Sequence, residues 1–137
     1  MTDEFEEIYK RLSYLMIEKL PEYIDNQNKE HNDGIMLEYF TNTSIDEDNL
    51  KNPYFKLTFT ESIQGRKDRI INARTYKFNC EFSLNAKRTI KPILVARYKE
   101  AVWDMLGSDY ENFEYWHHYL MYMNRPSGFV LDVYVEN

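Results

Sequence analysis

Arg74-Thr75-Tyr76-Lys77-Phe78-Asn79-Cys80-Glu81-Phe82-Ser83-Leu84 is the stretch on which the fold turns. Tyr76, Phe78, Cys80, Phe82 and Leu84 occupy one side of a period-two alternation; Thr75, Lys77, Asn79, Glu81 and Ser83 occupy the other. That pattern predicts a long antiparallel strand with one wet face. Upstream, Phe55, Leu57 and Phe59 alternate with Lys56, Thr58 and Thr60, which predicts a second half-buried strand. Between the two, Gln64–Arg69 reads as an exposed basic turn built around Gly65. Each apolar strand face needs a cover, and two helical patterns supply candidates.

The first covers residues 3–30. Phe5, Ile8, Tyr9, Leu12, Leu15, Met16, Leu20, Tyr23 and Ile24 recur at spacings of three and four, a single apolar stripe. Asp3 with Glu6 resembles an N-terminal capping arrangement. Pro21 either kinks this helix or starts a second one from its first turn. Asn26, Asn28, Asn32, Asp33 and Gly34 end it with turn chemistry. Ile35–Phe40 reads as a short strand or an extended connection, and the polar, aperiodic residues 41–53 as loop. After a polar turn over Asn85–Arg88, Pro92 opens the second helix. Its stripe is Ile93, Leu94, Tyr98, Ala101, Val102, Met105 and Leu106, and Gly107 is expected to stop it, so that it spans about 92–106. Residues 113–123 fit both periods, because Trp116, Tyr119, Leu120 and Met123 also have helical spacing. The clear turn at Asn124-Arg125-Pro126-Ser127-Gly128 and the alternation of Phe129, Leu131, Val133 and Val135 favour a hairpin of 113–123 with the last strand. The expected architecture is a single α+β domain over 1–137, with an antiparallel sheet of about four to five strands packed by the N-terminal helix and the helix near 92–106.

A chain of 137 residues with 43% hydrophobic and 29% charged side chains has an ordinary globular composition. It lacks an apolar run long enough to span a bilayer, so no membrane role is expected. The acidic opening Met1-Thr2-Asp3-Glu4-Phe5-Glu6-Glu7 is unlike a secretory signal, and the single Cys80 cannot form an internal disulfide; both point to the cytoplasm. Charge is divided unevenly. Residues 66–99 hold ten of the seventeen basic residues and two acidic ones, a balance of +8, while the remainder carries −14 against a net charge of −6. The basic stretch either folds back on acidic neighbours, meets the acidic surface of another copy head to tail, or contacts nucleic acid. The acidity of the whole chain argues against the last.

No constellation of catalytic residues emerges, and no enzyme, cofactor or metal is expected. His117 and His118 are adjacent, so on a strand their rings point to opposite faces and rarely share a metal. Asp46-Glu47-Asp48 begins like a calcium loop but lacks its central glycine, and Leu57 falls where the bidentate acid belongs. Cys80, between Phe78 and Phe82 on the apolar face, reads as a buried and inert thiol. Four glycines in all leave no phosphate-cradling loop. What stands out instead is material for contact surfaces: the basic residues Arg66, Lys67, Arg69, Lys87 and Arg88, and Tyr115, Trp116 and Tyr119 among the aromatics of the C-terminal hairpin.

The whole-chain order has a likeness. An acidic helix ending in Leu20-Pro21-Glu22-Tyr23-Ile24-Asp25-Asn26-Gln27-Asn28-Lys29-Glu30 leads through Gly34-Ile35-Met36-Leu37 into Asn52-Pro53-Tyr54-Phe55-Lys56-Leu57. A basic turn follows, then Arg74-Thr75-Tyr76-Lys77-Phe78-Asn79-Cys80-Glu81-Phe82, then a helix and a hairpin. This resembles the small neck proteins of tailed phages and prophages: tail terminator, tail completion and head–tail joining proteins. The resemblance implies a non-enzymatic virion structural protein, forming a ring, commonly a hexamer, between tail tube and head connector. Its partners would be further copies of itself and other tail or neck proteins, without sequence-specific nucleic-acid contact. It would be cytoplasmic until built into the virion. A rival reading from a different class is a small acidic binding protein, such as an immunity protein masking a basic toxin. That reading expects a monomer or small dimer where the neck reading expects self-association.

Overall fold

The period-two segments form strands and the period-3.6 segments form helices. The computed structural model describes residues 4–40, 53–65, 72–84 and 86–136. Its strands are β1 (Tyr54–Gly65), β2 (Asn72–Ser83), β3 (Tyr119–Tyr122) and β4 (Gly128–Glu136), in one sheet of order β1-β2-β4-β3 with every pairing antiparallel. Among the described residues the helices lie over one face, which makes this an α+β fold. Register puts Leu57, Cys80 and Phe129 in one inward row, and Phe59, Phe78, Leu131 and Met121 in the next. Tyr76, Phe78, Cys80, Phe82 and Leu84 are all buried, as the alternation requires. Gln64 and Gly65 belong to β1 rather than to the basic turn expected from residue 64 onward.

The N-terminal pattern becomes α1 (Glu4–Tyr14), a π turn (Leu15–Lys19) and α2 (Leu20–Glu30), running on without a break. Pro21 sits in the first turn of α2. In a regular helix its ring would press on the carbonyl of Ile17. The wider turn just before it, closed by the Leu20 N–H on the Leu15 carbonyl, makes room for the ring. Proline and π turn together thus answer whether the helix kinks or restarts. Ile8, Leu12, Leu15, Met16, Leu20 and Ile24 are buried in the core that they share with the sheet. Phe5 stacks on Phe59 at 3.5 Å and lies 6.0 Å from Phe78. Asp3, of the expected cap, lies outside the described residues, as does the loop 41–52 with Asp46-Glu47-Asp48.

Beyond α2 the chain turns at Gly34, whose φ of 81° is a left-handed conformation that suits glycine. Residues 35–40 then form an extended connection, not a strand. Asn28 brackets Leu37, donating to its carbonyl at 3.0 Å and accepting its N–H at 2.8 Å. The Tyr98 hydroxyl does the same for Glu38, donating at 2.6 Å and accepting at 3.0 Å. Burial pushes that hydroxyl's pKa up to about 12. Arg97, itself almost wholly buried, bonds the Ile35 carbonyl at 3.0 Å and both oxygens of Asp33.

The Arg97 guanidinium, followed by the Ile35 N–H, lowers the Asp33 pKa from 3.8 to about 2. A folded-state pKa below the unfolded one adds stability that is complete above the ordinary carboxylate range and lost as the pH falls toward 2. An NMR titration of the Asp33 carboxyl is therefore expected to give a midpoint near 2. A midpoint at the ordinary carboxylate value would disprove the clamp.

The second helix, α3 (Lys91–Asp109), runs past the expected stop: Gly107 lies within it, exposed. Glycine weakens a helix by about 1 kcal/mol, but here the last turn is held from outside. Arg11 and Trp116 both bond Asp109 at its end. Ile93, expected in the buried stripe, is exposed, whereas Tyr98, Ala101, Val102, Met105 and Leu106 are buried. The hairpin is also shorter than expected. Its first half is a 3₁₀ turn, Glu114–His117, and only Tyr119–Tyr122 pairs with β4. At the start of β4 an added Cβ on Gly128 would fall 1.8 Å from the Cys80 carbonyl oxygen, so β2 and β4 approach there as closely as glycine allows. Lys99 of α3 fastens the preceding turn, donating to the carbonyl of Met123 at 2.8 Å and to that of Arg125.

Candidate interaction surfaces

The eight residues singled out as contact material fall into three groups. Arg66, Lys67 and Arg69 lie outside the described residues. Lys87 and Arg88 are exposed, in the turn where the Lys87 carbonyl accepts the N–H groups of Ile90 and Lys91 before α3 begins. Tyr115, Trp116 and Tyr119 sit around the 3₁₀ turn, but not on one outward face. Trp116 is fully buried and belongs to the core, which corrects its place among the surface aromatics. Its indole N–H donates to Asp109 Oδ2 at 2.8 Å. An alternating strand over 113–123 would have allowed an outward tryptophan; the 3₁₀ turn rolls it inward instead. Tyr115 is half-buried, and its hydroxyl pKa is pushed up to about 12 by burial and then by a hydrogen bond with Glu7. Tyr119 lies on the inward side of β3, partly buried, and burial raises its pKa as well.

Trp116 shares Asp109 with a cation. The Arg11 Nε donates to Asp109 Oδ2 at 2.9 Å, and a second guanidinium nitrogen bonds Oδ1. The Asp109 side chain is only 7% exposed. The Arg11 guanidinium also lies 5.5 Å from the Tyr14 ring centre and 5.8 Å from that of Phe113. This network ties α1, α3 and the 3₁₀ turn together with full hydrogen bonding of the buried carboxylate, a structural rather than a chemical arrangement.

Among the described residues, Tyr14, Met36, Tyr39, Phe59 and Tyr110 are exposed at scattered places, and two further groups of exposed apolar side chains lie on opposite layers. On the bare face of the sheet, Leu120 is 62% exposed, with Tyr122 and Tyr134 also exposed beside it on β3 and β4. The strand period explains this: Tyr119 and Met121 take the inward side, so Leu120 and Tyr122 must face out. Lys56, Thr58, Lys77 and Glu81 continue the same face as a polar, exposed field. On the far side, α3 turns Ile93, Ala96, Glu100, Trp103 and Gly107 away from the core, all exposed, with Trp103 at 50%. Spacings of three and four keep these on one helical line opposite the buried stripe. Leu120 did not stand out in the sequence, because it shares its segment with the inward Tyr119 and Met121.

The basic stretch is partly consumed inside the molecule. Arg97 is held by Asp33 and Lys99 by backbone carbonyls, while Lys77, Lys87 and Arg88 remain exposed. Folding back on acidic neighbours therefore accounts for some of the +8 but not for all of it. Cys80 is buried, and burial drives its thiol pKa well above the usual value, the opposite of an activated nucleophile. His117 and His118 are both exposed, and among the described residues no group of three or more His, Cys, Asp or Glu side chains is placed to hold a metal. Among the same residues no helix is long and apolar enough to cross a membrane. No protein-family model matches the chain, and no curated protein or solved structure matches it.

Proposed function

We propose that the protein is a non-enzymatic structural component of a phage or prophage neck, assembling as a ring between tail tube and head connector. The observation that supports this reading is the pair of unlike apolar surfaces on opposite layers of one small chain, Leu120 with Tyr122 and Tyr134 on the sheet, Ile93 with Trp103 on α3. A contact that joins two different surfaces is heterologous, and repetition of it closes a ring when the rotation permits. Aromatic and aliphatic side chains supply the adhesion, since exposed ion pairs give only about 0–1 kcal/mol each. The remaining exposed basic groups and the acidic remainder of the chain set which surface meets which.

The test is mass measurement in solution at high protein concentration and low salt, for the wild type and for Trp103→Ala. The wild type is expected to form a closed oligomer. The variant is expected to lose about 2 kcal/mol per contact, roughly 30-fold in association, with unchanged circular dichroism. A wild type that stays monomeric under these conditions and captures no tail or neck protein overturns the reading. A monomer that instead binds a basic protein tightly would support the rival, an acidic masking protein.

A further inference from the structure

The bare face of the sheet holds a carboxylate oxygen with nothing to satisfy it. Asp132 lies in the middle of β4, in register between Lys77 of β2 and Leu120 of β3. Its Oδ1 is shut off from solvent and has no hydrogen-bond partner. Lys77 is exposed, and among the described residues no ion pair reaches Asp132. A buried acceptor left without a donor costs free energy, and a charged one costs more. Around it Thr75, His117, His118, Leu120 and Tyr134 line a concavity of about 530 Å³. The occupant that suits these walls brings a positive charge, a planar fork of donors for the carboxylate once the part-exposed Asp132 side chain turns its Oδ1 outward, and a flat face to lie on the Tyr134 ring. An arginine side chain supplies all three, and lysine only the first.

One described arginine is available for this. Arg11, Arg97 and Arg125 already face carboxylates, and Arg74 has a contact of its own. Arg88 is exposed, with no carboxylate facing it among the described residues. It does not serve its own Asp132. Ser83, the last residue of β2, lies six residues along the strand from Lys77, about 20 Å at the ordinary strand rise, and the chain then turns toward α3 on the covered face. Each copy thus carries the cation beyond one end of the sheet and the carboxylate near its middle. We propose that Arg88 of one copy seats against Asp132 of the next, so that every subunit gives one arginine and receives one. This rests on the ring reading above and names its contact: a head-to-tail pair on the bare sheet face, bordered by Leu120 and Tyr134.

Charge reversal tests it. Association is measured for the wild type, Arg88→Glu, Asp132→Arg and the double variant carrying both, with melting temperature as the check on folding. Each single reversal is expected to weaken association by about tenfold or more, and the double variant to recover most of that loss, because the pair is re-formed with its signs exchanged. If Asp132→Arg fails to fold, a chain with Arg88→Cys and Asp132→Cys takes its place. Oxidation is then expected to give a ladder of cross-linked multimers that neither single cysteine variant gives. A wild type that assembles while both single reversals assemble equally well, or a double variant as weak as the two losses combined, refutes this contact and leaves the ring reading standing. A missing ladder from the cysteine pair counts against it in the same way. A wild type that never assembles removes both.

Discussion

Asp109→Ala is expected to destabilise the protein by about 3–5 kcal/mol, the cost typical of removing one partner from a buried ion pair. The substitution orphans two donors at once. Arg11 loses a carboxylate that it grips with two nitrogens, and the buried Trp116 loses the acceptor of its indole N–H. The end of α3 loses its external anchor as well, two residues after a glycine that does nothing to hold it. Equilibrium urea unfolding measures the effect, with the exposed Asp104→Ala as a control expected to stay within about 0.5 kcal/mol of wild type. A loss for Asp109→Ala as small as the control's would mean that the network is not formed in solution.

Phe78→Ala is the second large effect, again about 3–5 kcal/mol for a fully buried aromatic ring. Phe78 sits at the centre of the inward row that also holds Phe59, Leu131 and Met121, with Phe5 of α1 stacked over it. The alanine variant leaves a void between helix and sheet that cannot be filled without shifting both. A variant with the wild-type melting temperature would show that the N-terminal helix does not pack on this face of β2.

The sheet was readable where burial is one-sided. From Thr75 to Ser83 of β2, apolar and polar residues alternate without a fault, and the stripe of α1 and α2 is just as regular. Reading failed where a tertiary partner overrides the local preference. Gly107 looks like a stop signal, yet Arg11, almost a hundred positions away, holds the helix to Asp109. Trp116 sits in a segment that satisfies both periods, and the turn that buries it depends on Asp109 as its acceptor. The candidate surfaces were legible in kind but not in membership. Exposed Lys87 and Arg88 follow from a polar turn and Trp103 falls outside the stripe of its helix, but the outward Leu120 carries no sequence mark that separates it from core. Asp132 was invisible for a different reason. A single acid in an alternating strand is ordinary surface chemistry, and only the register that sets Leu120 and Tyr134 around it makes its carboxylate short of a partner.

The Arg11–Asp109 bond joins residues 98 positions apart, and that separation has a meaning during synthesis. At roughly 5–20 residues per second, the ribosome needs on the order of 5–20 s between the two. For that interval α1 has its apolar stripe but neither the anchor at Asp109 nor the inward residues of β3 and β4 that complete the core. An amphipathic helix in that condition is a natural client for whatever holds nascent chains in the cell. The final hairpin therefore acts as the latch of the fold: β1 and β2 offer the early helix part of its seat, and translation must pass Trp116 before that seat is complete.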